Sequence, residues 1–497
     1  MKPWKIVLTL LMKHGCRLPM LAGSVCAIFL RTRNIGHWGG NPVQKIAILK
    51  LLQAIAQAAA TPEDETQWQQ LGWQKMAAQV CDYLDQWHDR FYLYGPSPFL
   101  QMPTIAKAAL KSFGVTLPDV ATGNTTILTQ SQSEKILDDA DKALLLLVQM
   151  GFALAGKKTD NKVVLSEGYR GKTKENGKGV SSKPGPAVAH MGLLHNFCFG
   201  TSLLKTIRLN LFTQVEIAGL TIYPNGLGTA PWQQMPQGED CAIAKQLKGS
   251  LMGRLIPLCR FCLLVDEGLH YSDGIVHASH KEGMFDPSIA IDFSGKEVKV
   301  RWANPEKRPW RELTGLLNFI GQQESPFDCV QLRLTISKAL RQREDVAIWS
   351  GGLRVSSNAG EQYVSGFDDM VESLCWLDPG VLGQIWFEQL KIEMSELDKV
   401  AKMLYGCVMS YCKELSIDGG NYAKRATHLF WQLCERQAQQ LLDNCDKPDI
   451  RYQLRRQFAS YSEQVFDQIC PHQTARQLDA WAKAKPYLAI YLKQDKA

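Results

Sequence analysis

Apolar residues fall into a helical rhythm most clearly near the start of the chain and throughout its last quarter. Between residues 41 and 59, NPVQKIAILKLLQAIAQAA sets Ile46, Leu49, Leu52, Ile55 and Ala56 at helical spacing and predicts an amphipathic helix. Asn41 suits its cap, Pro42 its first turn, and Thr61-Pro62 its end. From about 368 glycine thins out and the apolar spacing becomes heptad-like. Segments near 380–395, 397–415, 421–444, 448–469 and 473–492 are predicted helices, punctuated by Asp418-Gly419-Gly420, Pro448 and Pro471. They predict an antiparallel bundle of the four-helix type.

The middle of the chain is mixed. A second helix is predicted from Trp68 to about Phe91, running into the aromatic and proline-laden FYLYGPSPFLQMP, a turn and a short buried piece. A leucine-laden helix starts at Asp138, and the acidic pairs Asp138-Asp139 and Asp368-Asp369 are read as helix starts, where carboxylates favour the dipole. LMGRLIPLCRFCLLV, residues 251–265, suits buried strands. DPSIAIDFSGKEVKVRW, 286–302, reads as two strands about Ser294-Gly295. A helix over Trp310–Ile320 and a strand at Val330–Ile336 follow, then a hairpin with a polar tip across Gly351–Gly366. The fold class is α+β. A large mixed α/β N-terminal domain with long loops, residues 1–367, precedes a C-terminal helical bundle, residues 368–497.

Composition narrows this little. The net charge of +7 permits a polyanionic partner without demanding one. The 14 cysteines are scattered over 497 residues, unlike a secreted disulfide scaffold, and suit a reducing cytoplasm. In the first thirty residues Lys13, His14, Arg17 and Pro19 interrupt every apolar run short of the ~18–20 residues that span a bilayer, so a soluble chain with no membrane partner is expected.

Charge is concentrated in one place. Gly156–Pro186 carries Lys157, Lys158, Lys162, Arg170, Lys172, Lys174, Lys178 and Lys183 against Asp160, Glu167 and Glu175. Its six glycines break helices and let backbone approach a ligand, while its lysines supply the field a polyanion follows. A long cationic loop is expected there. A solvated surface insertion would have the same composition.

No catalytic constellation stands out. The chain lacks the phosphate-loop, metalloprotease-helix and nucleophile-elbow motifs. Cys259 and Cys262 have zinc-ligand spacing, with His277 and His280 downstream, but a strand through them would point the thiols to opposite faces. Two ordinary buried cysteines are the expectation, with no metal and no cofactor. A zinc-dependent enzyme using these four residues is the enzymatic alternative.

A series of short motifs resembles a known family. Trp87, Phe91-Tyr92-Leu93, Pro98-Phe99 and Gln101 match one segment. Leu203–Leu211 matches a strand region, followed by Pro231-Trp232. Then come Arg254-Leu255-Ile256 with Leu258, Asp286-Pro287, Pro309-Trp310-Arg311-Glu312-Leu313 and Ser350-Gly351-Gly352. In this order, over roughly residues 40–497, they resemble the large subunit (CasA) of the type I-E CRISPR surveillance complex Cascade.

The resemblance implies a non-catalytic subunit partnered by crRNA-bearing Cascade, with its backbone, small and crRNA-5′-end subunits. Such a subunit checks double-stranded DNA for a protospacer-adjacent motif from the minor groove. It also helps open the duplex into an R-loop and recruits a helicase–nuclease. It further implies a glycine loop within Gly168–Gly179, with Arg170, Lys172, Lys174, Gly177, Lys178 and Gly179 as DNA contacts. A minor-groove lysine would be Lys281, with His277 also in reach of the alignment. A wedge would sit at Ser357, Asn358 or Gln362. A loop that orders on assembly would involve Asn124, Ile127, Thr129 and Gln130. A different CRISPR large subunit or an RNA-binding scaffold is the other binding-module alternative.

Overall fold

Asn41 caps helix α1 (Pro42–Ala60), accepting from the Gln44 amide at 2.9 Å while the Gln44 side-chain oxygen accepts from the Asn41 amide at 3.1 Å. The computed structural model describes residues 40–116, 136–152, 192–321, 327–358, 361–363 and 369–492. The chain divides into two compact units. The first is Met1–Pro305, Pro326–Gln342 and Ile348–Ser373; the second is Glu306–Ser325, Arg343–Ala347 and Leu374–Ala497.

Helix α1 is the spine of the first unit and is not amphipathic as its spacing predicts. Of its 19 residues 16 are buried, because α2 (Glu65–Gln86), α3 (Asp139–Gly151), α4 (Leu203–Leu209) and α5 (Met252–Leu255) all pack on it. Its polar residues face partners, not water. Lys45 pairs with Glu372 at 2.6 Å. The Gln53 amide donates to the Asn210 carbonyl at 2.6 Å. Gln57 brackets Phe212, donating to its carbonyl at 2.7 Å and accepting from its amide at 3.1 Å. Lys50 forms an ion pair with Asp286 and donates to the Arg254 carbonyl at 3.2 Å. By length and composition α1 could cross a membrane, yet 83% of that window lies inside the protein.

Four small sheets are present among the described residues. Strands β3 (Arg260–Val265) and β4 (Gly268–Asp273) form an antiparallel hairpin, with β1 (Leu110–Lys111) on the far edge of β4. The second sheet has the order β11 (Met370–Leu377), β8 (Val346–Leu353), β2 (His195–Phe199). The third is β6 (Lys299–Val300), β5 (Ile291–Asp292), β7 (Phe327–Asp328), so the pair about Ser294-Gly295 is present. The fourth is the hairpin β9 (Ser356–Asn358) with β10 (Glu361–Tyr363).

Several expectations are corrected. Leu203–Leu211 is not a strand region: Ser202 caps α4, accepting from the Lys205 amide at 3.3 Å, and the chain then turns through Asn210–Phe212. Val330–Ile336 belongs to helix α6 (Val330–Gln342). Its alternating Val330, Leu332 and Ile336 mimic a strand, but burial continues through Thr335, Lys338 and Ala339 at helical spacing. Residues 251–265 hold one short helix and one strand, not strands alone. The helical region begins after β11, not at 368, and Asp369 precedes that strand and pairs with Arg354 at 2.6 Å.

In the second unit, α7 (Gln384–Glu414) is one helix of 31 residues where two are predicted, because no proline interrupts it. It packs against α8 (Gly420–Glu435), α10 (Pro448–Ile469) and α11 (Ala475–Ala484). The predicted 421–444 helix breaks at Arg436-Gln437 before α9 (Ala438–Asn444), and α11 ends at Lys485, ahead of Pro486. Across the bundle Arg455 and Glu393 form a buried bidentate pair at 2.9 and 2.5 Å. The Pro309–Glu312 turn docks here, with Trp310 edge-on to Trp431 at 5.9 Å and Arg311 3.6 Å over the same ring.

Replacing Lys50 by Met should cost about 3–5 kcal/mol, because Asp286 keeps a buried charge with no cation. Urea unfolding checks this. The double variant Lys50→Met, Asp286→Asn should cost less than the two single changes summed.

Candidate nucleic-acid interface

Strand β6 and the residues after it, Arg301-Trp302-Ala303, are where distant parts of the first unit meet. The first part is the turn His280–Glu282. Ser279 caps it, its amide donating to the Glu282 carboxylate at 2.7 Å, and Gly283 closes it at a φ of 78°, which favours glycine. Lys281 stands out from this turn, 62% exposed, and meets Glu297 at 2.9 Å. Both partners stand in water, which screens the pair, so a phosphate could displace the carboxylate.

The second part is Gly192-Leu193, directly after residues 153–191. The Ala303 amide donates to the Gly192 carbonyl at 2.6 Å, the Leu194 amide to the Arg301 carbonyl at 3.0 Å, and Leu193 bridges Trp302. The third is the end of β8 and the foot of the β9–β10 hairpin. A side chain at Gly352 would strike the Leu193 carbonyl at 2.5 Å, so the strands approach closely only with glycine there. Val355 and the Trp302 ring crowd Gly192, each 3.3 Å or less from where a β-carbon would sit. Arg354 and Asp369, paired at 2.6 Å, hold the hairpin's foot.

Below lies a buried polar network. Asp286 accepts from the Ser288 hydroxyl at 2.7 Å and its amide at 3.0 Å, and the Ser288 hydroxyl meets His195 Nδ1 at 2.8 Å. Burial alone would raise the Asp286 carboxyl, but Lys50, His195 and Ser288 hold it down to about 2. His277 donates from Nε2 to the Pro257 carbonyl at 2.7 Å. His277 and His195 are pushed down to about 3, first by burial and then by Arg254 and Lys50 respectively.

The predicted site residues are placed unevenly. Arg170, Lys172, Lys174, Gly177, Lys178 and Gly179 lie outside the described residues, as do Asn124, Ile127, Thr129 and Gln130. Of Lys281 and His277, Lys281 reaches solvent and His277 is buried. Ser357, Asn358 and Gln362 lie in the backbone of the hairpin, Gln362 opposite Ser357 and Asn358 opposite Glu361. Cys259 and Cys262 are buried, and burial pushes both thiols to about 12, away from the thiolate zinc requires. Among the described residues no three His, Cys, Asp or Glu side chains are grouped to hold a metal. Sequence reasoning missed Lys299 and Trp302. The signal was present in VKVRW, residues 298–302, basic and apolar residues alternating up to a tryptophan.

The family model described as CRISPR-associated protein Cse1 matches residues 24–471. The chain belongs to the Cse1 family. A curated relative, CRISPR-associated protein CasA/Cse1 from Thermus thermophilus, is 27% identical over 302 residues, 56% of this chain. That match spans about half of the relative's length, 52%. Among solved structures, Thermobifida fusca Cse1 superposes with a TM-score of 0.71 at 17% identity, covering 94% of this chain and 92% of that one. Thermus thermophilus CasA gives 0.68 at 17% identity, covering 93% of each. A chain of a CRISPR RNA-guided surveillance complex gives 0.64 at 14% identity, covering 96% of each. These likenesses extend the Cse1 fold over nearly the whole chain.

The buried neutral histidines set a pH dependence. The unfolded chain takes up their protons near pH 6.5 and the folded chain only near 3, so stability falls as pH drops through that window. Each histidine contributes a slope of up to about 1.4 kcal/mol per pH unit. His277→Gln should flatten the stability curve of the isolated chain between pH 6.5 and 4, read by denaturant unfolding at each pH.

Proposed function

We propose that this Cse1-family chain is the non-catalytic large subunit of a type I-E-like Cascade. It checks double-stranded DNA for a flanking motif from the minor groove, helps open the duplex into an R-loop, and recruits the helicase–nuclease. The observation that carries the reading is the convergence on Arg301–Ala303. Lys281, the exit of the lysine–glycine segment at Gly192 and the foot of the β9–β10 hairpin lie together, though distant in sequence. Family membership and a fold shared with a chain of an RNA-guided surveillance complex support it.

The chemistry fits that task. The minor groove offers a degenerate pattern, so a reader there needs few base contacts and close backbone approach. Guide pairing reads the rest of the sequence, which leaves the protein a short motif and phosphate contacts. In this reading the first unit checks DNA and docks on the crRNA-bearing particle, and Asn124, Ile127, Thr129 and Gln130 order on assembly. The bundle that follows completes the cytoplasmic complex. Ser357, Asn358 and Gln362 supply the wedge, and Arg170, Lys172, Lys174, Gly177, Lys178 and Gly179 the loop that follows the backbone.

The test is binding of a guide-matched duplex by the assembled, crRNA-loaded complex across a salt series. Lys172→Ala, Lys174→Ala and Lys178→Ala together should weaken binding and lower the salt slope by about 0.9 for each phosphate left without its lysine. Lys281→Ala should weaken it further and relax the preference among flanking motifs. Unchanged affinity and slope in both variants would overturn the reading. So would a complex that binds guide RNA yet ignores the flanking duplex.

A further inference from the structure

We propose that Trp302 is an aromatic platform on which a base of the target DNA stacks once the duplex beside the flanking motif opens. The proposal rests on the DNA-checking reading and adds a contact that reading does not contain. Trp302 sits at the centre of the convergence, bridged to Leu193 and packed beside Gly192 and Val355. It is 50% exposed. Its neighbours Val300 and Ala303 are buried where it is not. Among the described residues its indole has no aromatic partner and no hydrogen bond. The exposed Phe293 differs in this respect, resting edge-on against Phe285 at 6.4 Å.

The ring is also held in place. A β-carbon at Gly192 would come within 3.2 Å of it, so the glycine, at a φ of 118°, lets backbone lie against the indole. The 2.6 Å bond from the Ala303 amide to the Gly192 carbonyl fixes that backbone. A pre-positioned ring loses little freedom when a base stacks on it. Strand β6 carries exposed Lys299, the turn before it carries exposed Lys296, and Lys281 pairs with Glu297 of that turn; these cations attract the phosphates that bring a base near. Asp292, Glu282 and Glu297 share this surface; Glu282 is engaged with Ser279, Glu297 with Lys281 and Asp292 with the Ser294 amide. Aromatic stacking tolerates any base, which suits a subunit that leaves sequence to the guide.

The experiment compares Trp302→Leu, which keeps apolar packing but has no π face, with Trp302→Phe, which keeps a ring. Both are assembled into crRNA-loaded complex. The probe is a guide-matched duplex whose flank the unmodified complex has selected from a randomised library. 2-Aminopurine is placed in turn at each flank position and at the first target positions. Trp302→Leu should weaken duplex binding about 5- to 100-fold, the range a base–aromatic stack confers. Trp302→Phe should stay within about threefold. At one position the unmodified complex and Trp302→Phe should quench 2-aminopurine and Trp302→Leu should not. No quenching at any position by the unmodified complex overturns the platform, whether or not the Leu variant folds. Equal affinity and quenching in Trp302→Leu also overturn it. If Lys281→Ala still weakens binding in that case, DNA checking stands and only the platform falls. If Lys281→Ala and the triple Lys172, Lys174 and Lys178 variant bind normally as well, both fall together.

Discussion

The ion pair between Lys50 and Asp286 is the constraint on which the first unit turns. Both side chains are almost wholly out of water, at 6% and 0% exposure. Such a pair adds little net stability compared with apolar residues, but leaving either partner alone is expensive. The arrangement is therefore all or nothing. α1 must lie where Lys50 reaches both Asp286 and the Arg254 carbonyl. The segment after it must bring Ser288 to Asp286 and to His195. These demands place β2, the 275–290 segment and the spine helix in one register, and Lys281 is carried on the outside of that segment.

The same helix solves a second problem. The turn Asn210–Phe212 runs through the core, where unpaired backbone groups are costly. Gln53, Gln57 and Lys338 supply the missing partners from α1 and α6, with Lys338 also paired to Glu216 at 2.8 Å. Trp68 and Arg208 close the same region, the indole donating to the Arg208 carbonyl at 3.1 Å and the guanidinium lying 3.8 Å over the ring. A polar interior of this kind is rigid because these side chains tie the turn's backbone to two helices. That rigidity suits a surface on which a lysine, a hairpin foot and a tryptophan must keep fixed positions.

The second unit is built by a different rule. Its helices meet along apolar faces, Leu390, Leu397, Leu404 and Val408 from α7 among them, and one buried pair, Glu393 with Arg455, sets the relation of α7 to α10. Residues 306–325, which precede the bundle in sequence by some fifty positions, belong to this unit through Trp310, Arg308 and Arg311. Arg308 reaches Glu435 at 3.0 Å, and Arg311 lies on Trp431.

Local rules were readable from the residues alone. The α1 cap, the α3 start at Asp138, the α10 start at Pro448 and the strands about Ser294-Gly295 all rest on chemistry within a few positions. The ordered motifs carried the family, and the lysines and glycines of 156–186 marked where charge concentrates. Long-range pairing was not readable in this way. The lysines and glutamines of α1 look solvent-facing until their partners, more than 150 residues away, are known. Val330–Ile336 alternates like a strand until burial of the next two turns shows a helix. Trp302 is one of 13 tryptophans until Gly192 and Val355 are set beside it. Hydrophobic period and capping act between neighbours, so sequence alone determines them. A buried charge or an exposed ring takes its meaning from groups that only the tertiary fold brings within a few ångströms.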